Sequence, residues 1–190
     1  MTKNRLEAFS DGVLAIIITI MVLTLKVPEG TELADLKPLI PTLLAYVLSF
    51  VHVGIYWNNH HHLFQAVEQV TGPVLWANLH LLFWLSLIPV TTDWIGAGNF
   101  ALWPVIVYGM VLFCSASAFV ILTHKLMANH EPDSTLRRAI GDDFKGKISL
   151  AVYVAGILAA FIHPYLACVA YSAVAIIWLI PDRRIEEKIT

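Results

Sequence analysis

Polar and charged side chains open the first long apolar segment of this chain, where each of them needs a partner. The segment begins with Arg5, Ser10 and Asp11 among apolar residues, and polar groups inside a bilayer are costly unless they are paired. A carboxylate and a hydroxyl accept hydrogen bonds, while Trp57 and His60, at i and i+3 on a later segment, present N–H donors on one helical face. These residue types predict a hydrogen-bond network that joins helices.

Helix capping is the alternative role for the same side chains. Ser10 or Asp11 could cap a helix amino terminus or complement its dipole, which contributes about 0.5 to 2 kcal/mol. However, Leu6, Ala8 and Phe9 are already apolar, which places Asp11 inside the helix instead of at its start. From the residues alone, both roles stay open.

A second pattern follows on the same segment, where Ile16, Thr19 and Leu23 are separated by 3 and then 4 positions. This spacing puts them on a single helical stripe, which Gly12 continues. Threonine hydroxyls that face one axis can offer oxygens to a partly dehydrated cation, and apolar rings can gate by dewetting. The alternative is that the stripe serves helix packing or lipid contact, with the Thr19 hydroxyl bonded to the carbonyl four residues earlier.

Other chemistries lack a complete set of residues. Consecutive histidines at His60, His61 and His62 point in different directions on a helix, and no Cys or carboxylate spacing completes a metal site. The chain has no H-E-x-x-H motif, no glycine-rich phosphate cradle and no nucleophile beside a base. We therefore predict no catalytic residues, no metal and no cofactor, and the net charge of −2 does not suggest a nucleic acid as partner.

The elements that position these residues are membrane helices, as the composition indicates. The chain is 58% apolar and 14% charged, whereas soluble domains are about 45–50% apolar and about 25% charged. Charges, Gly and Pro divide the sequence into segments close to the ~20 residues that a spanning helix needs. The predicted spans are about residues 6–25, 41–64, 74–93, 100–127, 148–162 and 165–180. We predict an all-α membrane protein in which residues 1–190 form one six-helix domain within the lipid bilayer.

The distribution of Lys and Arg predicts the orientation, since cytoplasmic segments carry the excess. With the amino terminus inside, ten of these residues lie on the inner side, and only Lys26 and Lys37 lie outside. We therefore expect a multi-pass protein of the plasma membrane with both termini in the cytoplasm. The ten inner residues are Lys3, Arg5, Lys125, Arg137, Arg138, Lys145, Lys147, Arg183, Arg184 and Lys188.

Three motifs together resemble a known channel family. Residues 5–11 have the form R-x-x-x-F-S-D, which resembles the signature of the transmembrane protein 175 family of potassium channels. Trp57, His60, Leu63 and Phe64 are similar to the W-x-x-H-x-x-L-F pattern of the family's second helix. Asn78-Leu79 and Pro89 are similar to the family's third helix. These motifs cover the first three helices, and the second half of the chain matches only in the number and length of its spans.

The resemblance implies a non-canonical potassium channel, a homotetramer with helix one of each subunit lining a central pore. Ile16 and Leu23 would form apolar rings, Thr19 a hydroxyl ring, and K⁺ would be the permeant ion. No T-V-G-Y-G filter loop and no internal repeat occurs, so a pore has to come from oligomerisation. The resemblance gives the remaining motif residues a structural role, which is to hold helix one: Arg5, Phe9, Ser10, Asp11, Trp57, His60 and Asn78.

Two other functions fit the same architecture. One is a proton or non-selective cation leak pathway in which His60 and Asp11 relay protons. The other is a membrane scaffold that conducts nothing, in which the stripe on helix one only packs against neighbours. Ion flux measurements distinguish these functions from a potassium channel.

Overall fold

A computed structural model describes residues 2–65, 67, 70–128 and 143–179, and every element in these ranges is helical. This confirms the predicted all-α fold class. A short 3-10 helix (Leu33–Leu39) precedes the second α-helix. The α-helices of the described residues are α1 (Lys3–Leu23), α2 (Ile40–Gln65), α3 (Gly72–Ser86), α4 (Ile88–Ala97), α5 (Leu102–Ala128), α6 (Phe144–Ala160) and α7 (Pro164–Leu179).

The predicted spans all coincide with helical segments. Four segments are long and apolar enough to cross a membrane, namely Lys3–Leu23, Leu33–Gln65, Gly72–Ala97 and Leu102–Ala128. Helices α6 and α7 are shorter, with 17 and 16 residues. The end of the last predicted span at Ile180 and five of the inner basic residues lie outside the described residues: Arg137, Arg138, Arg183, Arg184 and Lys188. A single domain over residues 1–190 stays a prediction.

The third span was predicted to be one helix over residues 74–93, but the structure divides it into two helices. It consists of α3 and α4, which meet at Leu87, and it continues to Ala97. Pro89 causes the break, because it has no N–H to donate to the carbonyl four residues earlier. The carbonyl four residues earlier is that of Leu85, which accepts from the Leu87 N–H at the end of α3. The Ser86 hydroxyl donates to the Phe83 carbonyl at 2.7 Å. The third span is therefore interrupted at Leu87.

Helix α1 lies at the edge of the bundle, and α5 lies at its centre. One face of α1 packs against α2, α3 and α4, while α5 packs against α3, α4, α6 and α7. Three almost fully buried aromatic side chains, Tyr108, Tyr153 and Tyr171, join α5, α6 and α7. Since the core lies around α5, the described residues leave the opposite face of α1 uncovered.

The carboxylate before α6 makes a pH-dependent contribution to stability. Asp143 accepts a hydrogen bond from the Gly146 N–H at 3.2 Å, and burial raises the pKa of its carboxyl, while that bond and the charges of His124 and Lys147 offset part of the effect. The folded chain therefore keeps this proton to a higher pH than the unfolded chain, whose aspartates titrate near pH ~3.9. Stability should fall as pH rises between these two values.

Asp143→Asn is expected to remove this part of the pH dependence, since asparagine remains neutral and is an equally good helix cap. Thermal unfolding in detergent at a series of pH values measures the slope. Asp93→Asn, at an exposed carboxyl of α4, is the matched control and should keep the slope of the unmodified protein. An unchanged slope in Asp143→Asn would show that another group titrates.

Candidate functional site

Three buried polar side chains join α1, α2 and α3 through direct hydrogen bonds. Asn78 donates from Nδ2 to the Ser10 hydroxyl oxygen at 3.0 Å and accepts at Oδ1 from His60 Nε2 at 2.8 Å. Since Asn78 Oδ1 can only accept, the proton of the neutral imidazole lies on Nε2. The Ser10 hydroxyl donates in turn to the Leu6 carbonyl at 2.9 Å. Each of the three side chains is at most 3% exposed, so this triad fixes the position of α1 on the bundle.

A second polar link between α1 and α2 lies next to the triad. The Trp57 indole N–H donates to the Asp11 carboxylate at 3.1 Å. The indole also stacks on the His61 ring, with centroids 6.3 Å apart. Both partners of the hydrogen bond are exposed in the single chain. Asp11 is thus held in the interior of α1, beyond its first turn, and it does not cap the helix.

Arg5 and Phe9 lie apart from these two links. The Arg5 side chain is exposed and makes no hydrogen bond or ion pair with any residue that the structure describes. The Phe9 ring is 51% exposed. The structure therefore brings together Ser10, Asp11 and their partners on α2 and α3, and their role in a channel stays a prediction, as does any role of Arg5 and Phe9.

Trp57→Phe tests the link to Asp11, because it keeps the aromatic ring and removes the N–H donor. We expect a loss of about 1 kcal/mol of stability, the usual net value of one hydrogen bond. A double-mutant cycle with Asp11→Ala, followed by thermal unfolding of the assembled protein, isolates the interaction. Strict additivity of the two substitutions, or wild-type stability of Asp11→Ala, would remove Asp11 from the network.

The predicted stripe on α1 lies on the uncovered face of the helix. Ile16 is 60% exposed and Leu23 is 77% exposed, and Thr19 between them is exposed as well. The opposite face is buried through Leu6, Ser10, Leu14, Ile17 and Met21. Among the helices that the structure describes, none covers this stripe. An uncovered row of bulky aliphatic residues is suited to contact with lipid, with another subunit or with a pore.

The Thr19 hydroxyl has a defined orientation. It donates to the Ala15 carbonyl at 2.8 Å, so its hydrogen points toward the backbone of its own helix. A hydroxyl oxygen has two acceptor lone pairs, and neither is used by this bond. Thr19 can therefore present an oxygen, and not a hydrogen, to a cation on the uncovered side of α1.

Lys26 lies beyond the end of the helix that carries the stripe. Helix α1 ends at Leu23, and the Thr24 hydroxyl donates to the Met21 carbonyl at 2.8 Å. Lys26 is exposed beyond this end, and it forms no ion pair with Glu29. The helical register of Ile16, Thr19 and Leu23 therefore does not extend to Lys26.

A further buried polar cluster was not predicted from the sequence. Thr92 on α4 donates to Ser49 on α2 at 2.6 Å, and the Ser49 hydroxyl is 3.0 Å from the Tyr108 hydroxyl on α5. The sequence does contain a signal for this cluster. Ser49 and His52 are at helical spacing with later polar residues of α2, which places their side chains on the core side of that helix. Within the described residues, no three His, Cys, Asp or Glu side chains are grouped to hold a metal ion.

Comparisons with known proteins agree with this geometry. Residues 5–89, which contain the triad, the Asp11 link and the stripe, match the family described as endosomal/lysosomal potassium channel TMEM175. A protein named as a potassium channel from Chryseobacterium sp. (strain P1-3) is 59% identical over 189 residues, covering 100% of this chain and 98% of the relative. The chain belongs to the TMEM175 family. This confirms the resemblance on which the sequence analysis relied.

Two other members extend the comparison. The crystal structure of a TMEM175 homologue from Chamaesiphon minutus, described as a lysosomal potassium-selective channel, matches with a TM-score of 0.81 at 28% identity. The match covers 95% of this chain and 97% of that one. The zebrafish (Danio rerio) TMEM175, named an endosomal/lysosomal proton channel, is 25% identical over 195 residues, which cover 95% of this chain and 36% of the relative.

Membership in the TMEM175 family settles two broader predictions. The family is one of channels and not of enzymes, which confirms that the chain is not an enzyme. Together with the four membrane-capable segments, it makes the chain a multi-pass membrane protein.

Proposed function

We propose that this protein is a potassium-selective channel that passes K⁺ down its electrochemical gradient. One observation carries the proposal, which is the uncovered stripe of Ile16, Thr19 and Leu23 on the first helix. Its membership in the TMEM175 family and the 59% identical relative named as a potassium channel support the choice of ion. A pore lined by α1 gives this exposed apolar row a function that packing within the subunit does not supply.

In this proposal four subunits surround one axis, as a homotetramer. Four copies of Thr19 would offer hydroxyl oxygens to a K⁺ ion that has lost part of its hydration shell. Ile16 and Leu23 would form apolar rings on either side, where the pore can close by dewetting. Selectivity would then depend on the width of the constriction and on the hydroxyl layer.

The Ser10, Asn78 and His60 triad would act by positioning α1. It lies on the buried face of the helix, so none of its atoms would meet the permeant ion. A fixed helix angle keeps side chains on the axis within the small tolerance that a narrow pore requires. The triad and the Asp11–Trp57 link thus belong to the support of the pore.

The charge distribution supports the proposed orientation in the membrane. We propose that the protein spans the plasma membrane with both termini in the cytoplasm, because ten Lys and Arg residues would then lie inside and two outside. In this orientation the triad lies near the cytoplasmic ends of α1, α2 and α3. K⁺ would enter or leave the cell past Leu23 on the outer side.

Reversal potentials of the purified protein in liposomes test the ion selectivity. With opposed gradients of K⁺, Na⁺ and H⁺, the proposal predicts a reversal potential close to the K⁺ equilibrium value. A reversal potential that follows the proton gradient would favour the proton pathway. Absence of flux for every ion, with assembled protein, would leave the non-conducting scaffold.

The number of subunits is a separate test. Native mass measurement or crosslinking in lipid is expected to give a tetramer of the 21.1 kDa chain. A monomer would contradict the proposal, since a central pore lined by α1 requires several copies. Empty liposomes provide the background for flux, and the mass is measured on the same preparation.

Proton conduction is the second candidate, and the name of the zebrafish relative favours it. A relay from His60 to Asp11 is poorly supported, however, because each side chain is bonded elsewhere: His60 to Asn78 and Asp11 to Trp57. An indole N–H does not exchange protons along a relay at ordinary pH. If protons pass, we propose that they use the same axis as K⁺.

A further inference from the structure

A cavity lies inside the subunit, between α2, α5, α6 and α7, and none of its lining residues comes from α1. Its floor consists of buried residues, among them Ala116, Tyr153 and Ala175. Other residues of the wall are only half-buried, so the cavity reaches the outer surface of the bundle. These are Ile55, Tyr56 and Asn59 on α2, Phe119 and Val120 on α5, and Trp178 on α7.

The opening of this cavity lies on the side of the bundle where α2 faces α5. The main contacts of α2 with other α-helices are with α1, α4 and α7, whereas those of α5 are with α3, α4, α6 and α7. Between α2 and α5 the gap is bridged by side chains such as Tyr56 and Phe119, whose ring centroids are 6.0 Å apart. In a bundle that spans a membrane, the medium beside such a gap is hydrocarbon.

The surface that faces the cavity is almost entirely carbon, because several polar side chains of the wall are bonded to other protein groups. The Trp178 indole donates to the Ser149 hydroxyl at 2.8 Å, and Ser149 donates to the Lys145 carbonyl at 2.7 Å. Asn59 donates to the Ile55 carbonyl of its own helix at 2.8 Å. A space lined by carbon gives water no hydrogen bonds, so it suits an apolar group.

The size of the cavity suits a short piece of hydrocarbon. About 40 Å³ is open to the centres of water-sized groups, and one such group needs about 10–15 Å³ by this measure. The space therefore holds about three or four groups of this size. Because a methylene group is similar in size to a water molecule, the cavity would accept a few carbons of a single chain and not a drug-sized ligand.

A cation lies at the edge of the cavity, where α6 begins and α7 ends. The Lys145 ammonium lies over the Trp178 ring, 5.9 Å from its centroid, and Trp178 is part of the cavity wall. The attraction between an ammonium and an aromatic face favours this position. A negatively charged headgroup would therefore meet the ammonium at the point where its chain enters the cavity.

Further lysines make this end of the bundle positively charged. Lys147 on α6 and Lys125 on α5 are both exposed. At the end of α5, the start of α6 and the end of α7, the one carboxyl among the described residues is that of Asp143, which accepts from the Gly146 N–H. Three lysines beside one carboxyl are suited to the phosphate of an anionic lipid at the membrane surface.

We propose that an anionic phospholipid binds at this opening, with its phosphate beside Lys145 and a few carbons of one acyl chain in the cavity. The lipid would come from the leaflet on the side where α6 begins, and each subunit would hold one. The headgroup is attracted by the lysines, and the chain supplies the van der Waals contacts that an empty cavity lacks. The site is separate from the stripe on α1 and independent of the proposed potassium channel.

Native mass spectrometry of the assembled full chain, titrated with phosphatidylglycerol in detergent, tests the proposal. We expect one phosphatidylglycerol to be retained per subunit, and phosphatidylcholine with the same acyl chains to be retained more weakly. Excess inorganic phosphate should not displace the lipid, because it has no chain to place in the cavity. Equal retention of the two lipids, or displacement by phosphate, would overturn the proposal.

Lys145→Gln tests the position of the headgroup. We expect the affinity for phosphatidylglycerol to fall about fivefold, the effect of one lysine near an anionic lipid, and Lys145→Arg should keep it. Lys37→Gln, at an exposed lysine between α1 and α2, removes the same charge elsewhere and should leave the affinity unchanged. Equal affinities of the Lys145→Gln and Lys37→Gln proteins would overturn the role of Lys145.

Ala175→Leu tests the position of the chain, because it fills the cavity and leaves the lysines in place. We expect the retained phosphatidylglycerol to be lost. Ala173→Leu, on the exposed side of the same helix, is the matched control and should retain it. If Ala175→Leu does not fold, Ala116→Val fills less of the cavity with the same expected direction. Unchanged lipid retention in a folded, cavity-filling variant would overturn the binding of a chain in the cavity.

Discussion

Thr19→Val is expected to reduce the K⁺ over Na⁺ permeability ratio by about five- to tenfold, the effect of losing about 1 kcal/mol of differential ion stabilisation. The substitution removes the hydroxyl layer and keeps a side chain of similar shape. Among the described residues the Thr19 hydroxyl bonds only to Ala15 in its own helix, so the bundle should remain stable. Bi-ionic reversal potentials in planar bilayers measure the ratio.

Thr24→Val is the control for Thr19→Val. Thr24 also donates to a backbone carbonyl of α1, at 2.8 Å, but it lies beyond the end of the helix and is half-buried. We expect its permeability ratio to remain that of the unmodified channel. Equal ratios for Thr19→Val and the unmodified protein would show that the Thr19 oxygens do not contact the permeant ion.

Asn78→Leu is expected to lower the free energy of unfolding by about 1–3 kcal/mol, because it leaves the buried His60 N–H without an acceptor. Interhelical hydrogen bonds in membranes are often weaker, at about 0.6–1.7 kcal/mol, so the lower half of the range is favoured. The substitution also removes the donor to Ser10. Since the triad positions α1, potassium flux per assembled channel should decrease as well.

Denaturation in mixed detergent micelles measures this loss, and flux is scored per assembled channel. Asn58→Leu is the matched control, since Asn58 is half-buried on α2 and makes no side-chain hydrogen bond within the described ranges. Its stability should change by less than about 0.5 kcal/mol, as for a substitution that breaks no specific contact. Equal effects of the two substitutions would mean that the triad has no special stabilising role.

The helical segments were predictable from the sequence, because length, apolar composition and breakers determine where a chain can span a bilayer. The division of the third span at Leu87 was not predicted. Pro89 was visible in the sequence, but a proline in a membrane helix can either bend it or be tolerated, depending on neighbouring helices. Here the Ser86 hydroxyl and the Leu87 backbone close the helix before the proline.

The partners of the polar residues could be predicted only in part. Helical spacing indicated that Trp57 and His60 face the same direction, but not which of them meets Asp11. In the fold, Trp57 hydrogen-bonds to Asp11, whereas His60 points into the bundle and hydrogen-bonds to Asn78. This choice of partners depends on the rotation of α2 about its axis. Arg5 is exposed because it does not lie on the face of α1 that buries Leu6 and Ser10.

A cavity between α2, α5, α6 and α7, lined in part by His52, could not be predicted from the sequence. Its walls come from four helices that are far apart along the chain, and small differences in their packing decide whether a void remains. The helical spacing of polar residues on α2 indicated that they face the core. It does not distinguish residues that line a cavity from residues of a hydrogen-bonded core. Ser49 belongs to such a core, through Thr92 and Tyr108.

The most direct measurement of the proposed pore is cadmium block of an Ile16→Cys channel. A ring of thiolates around a narrow axis binds soft divalent metals tightly. Cd²⁺ at roughly micromolar concentration should therefore stop the K⁺ current, as expected for a site with several thiolate ligands. Ile16→Ser, which retains the native Cys114 and Cys168, should conduct in the same Cd²⁺ solution. The proposal predicts block in the cysteine variant alone. Undiminished K⁺ current through Ile16→Cys in saturating Cd²⁺ would contradict a pore lined by α1.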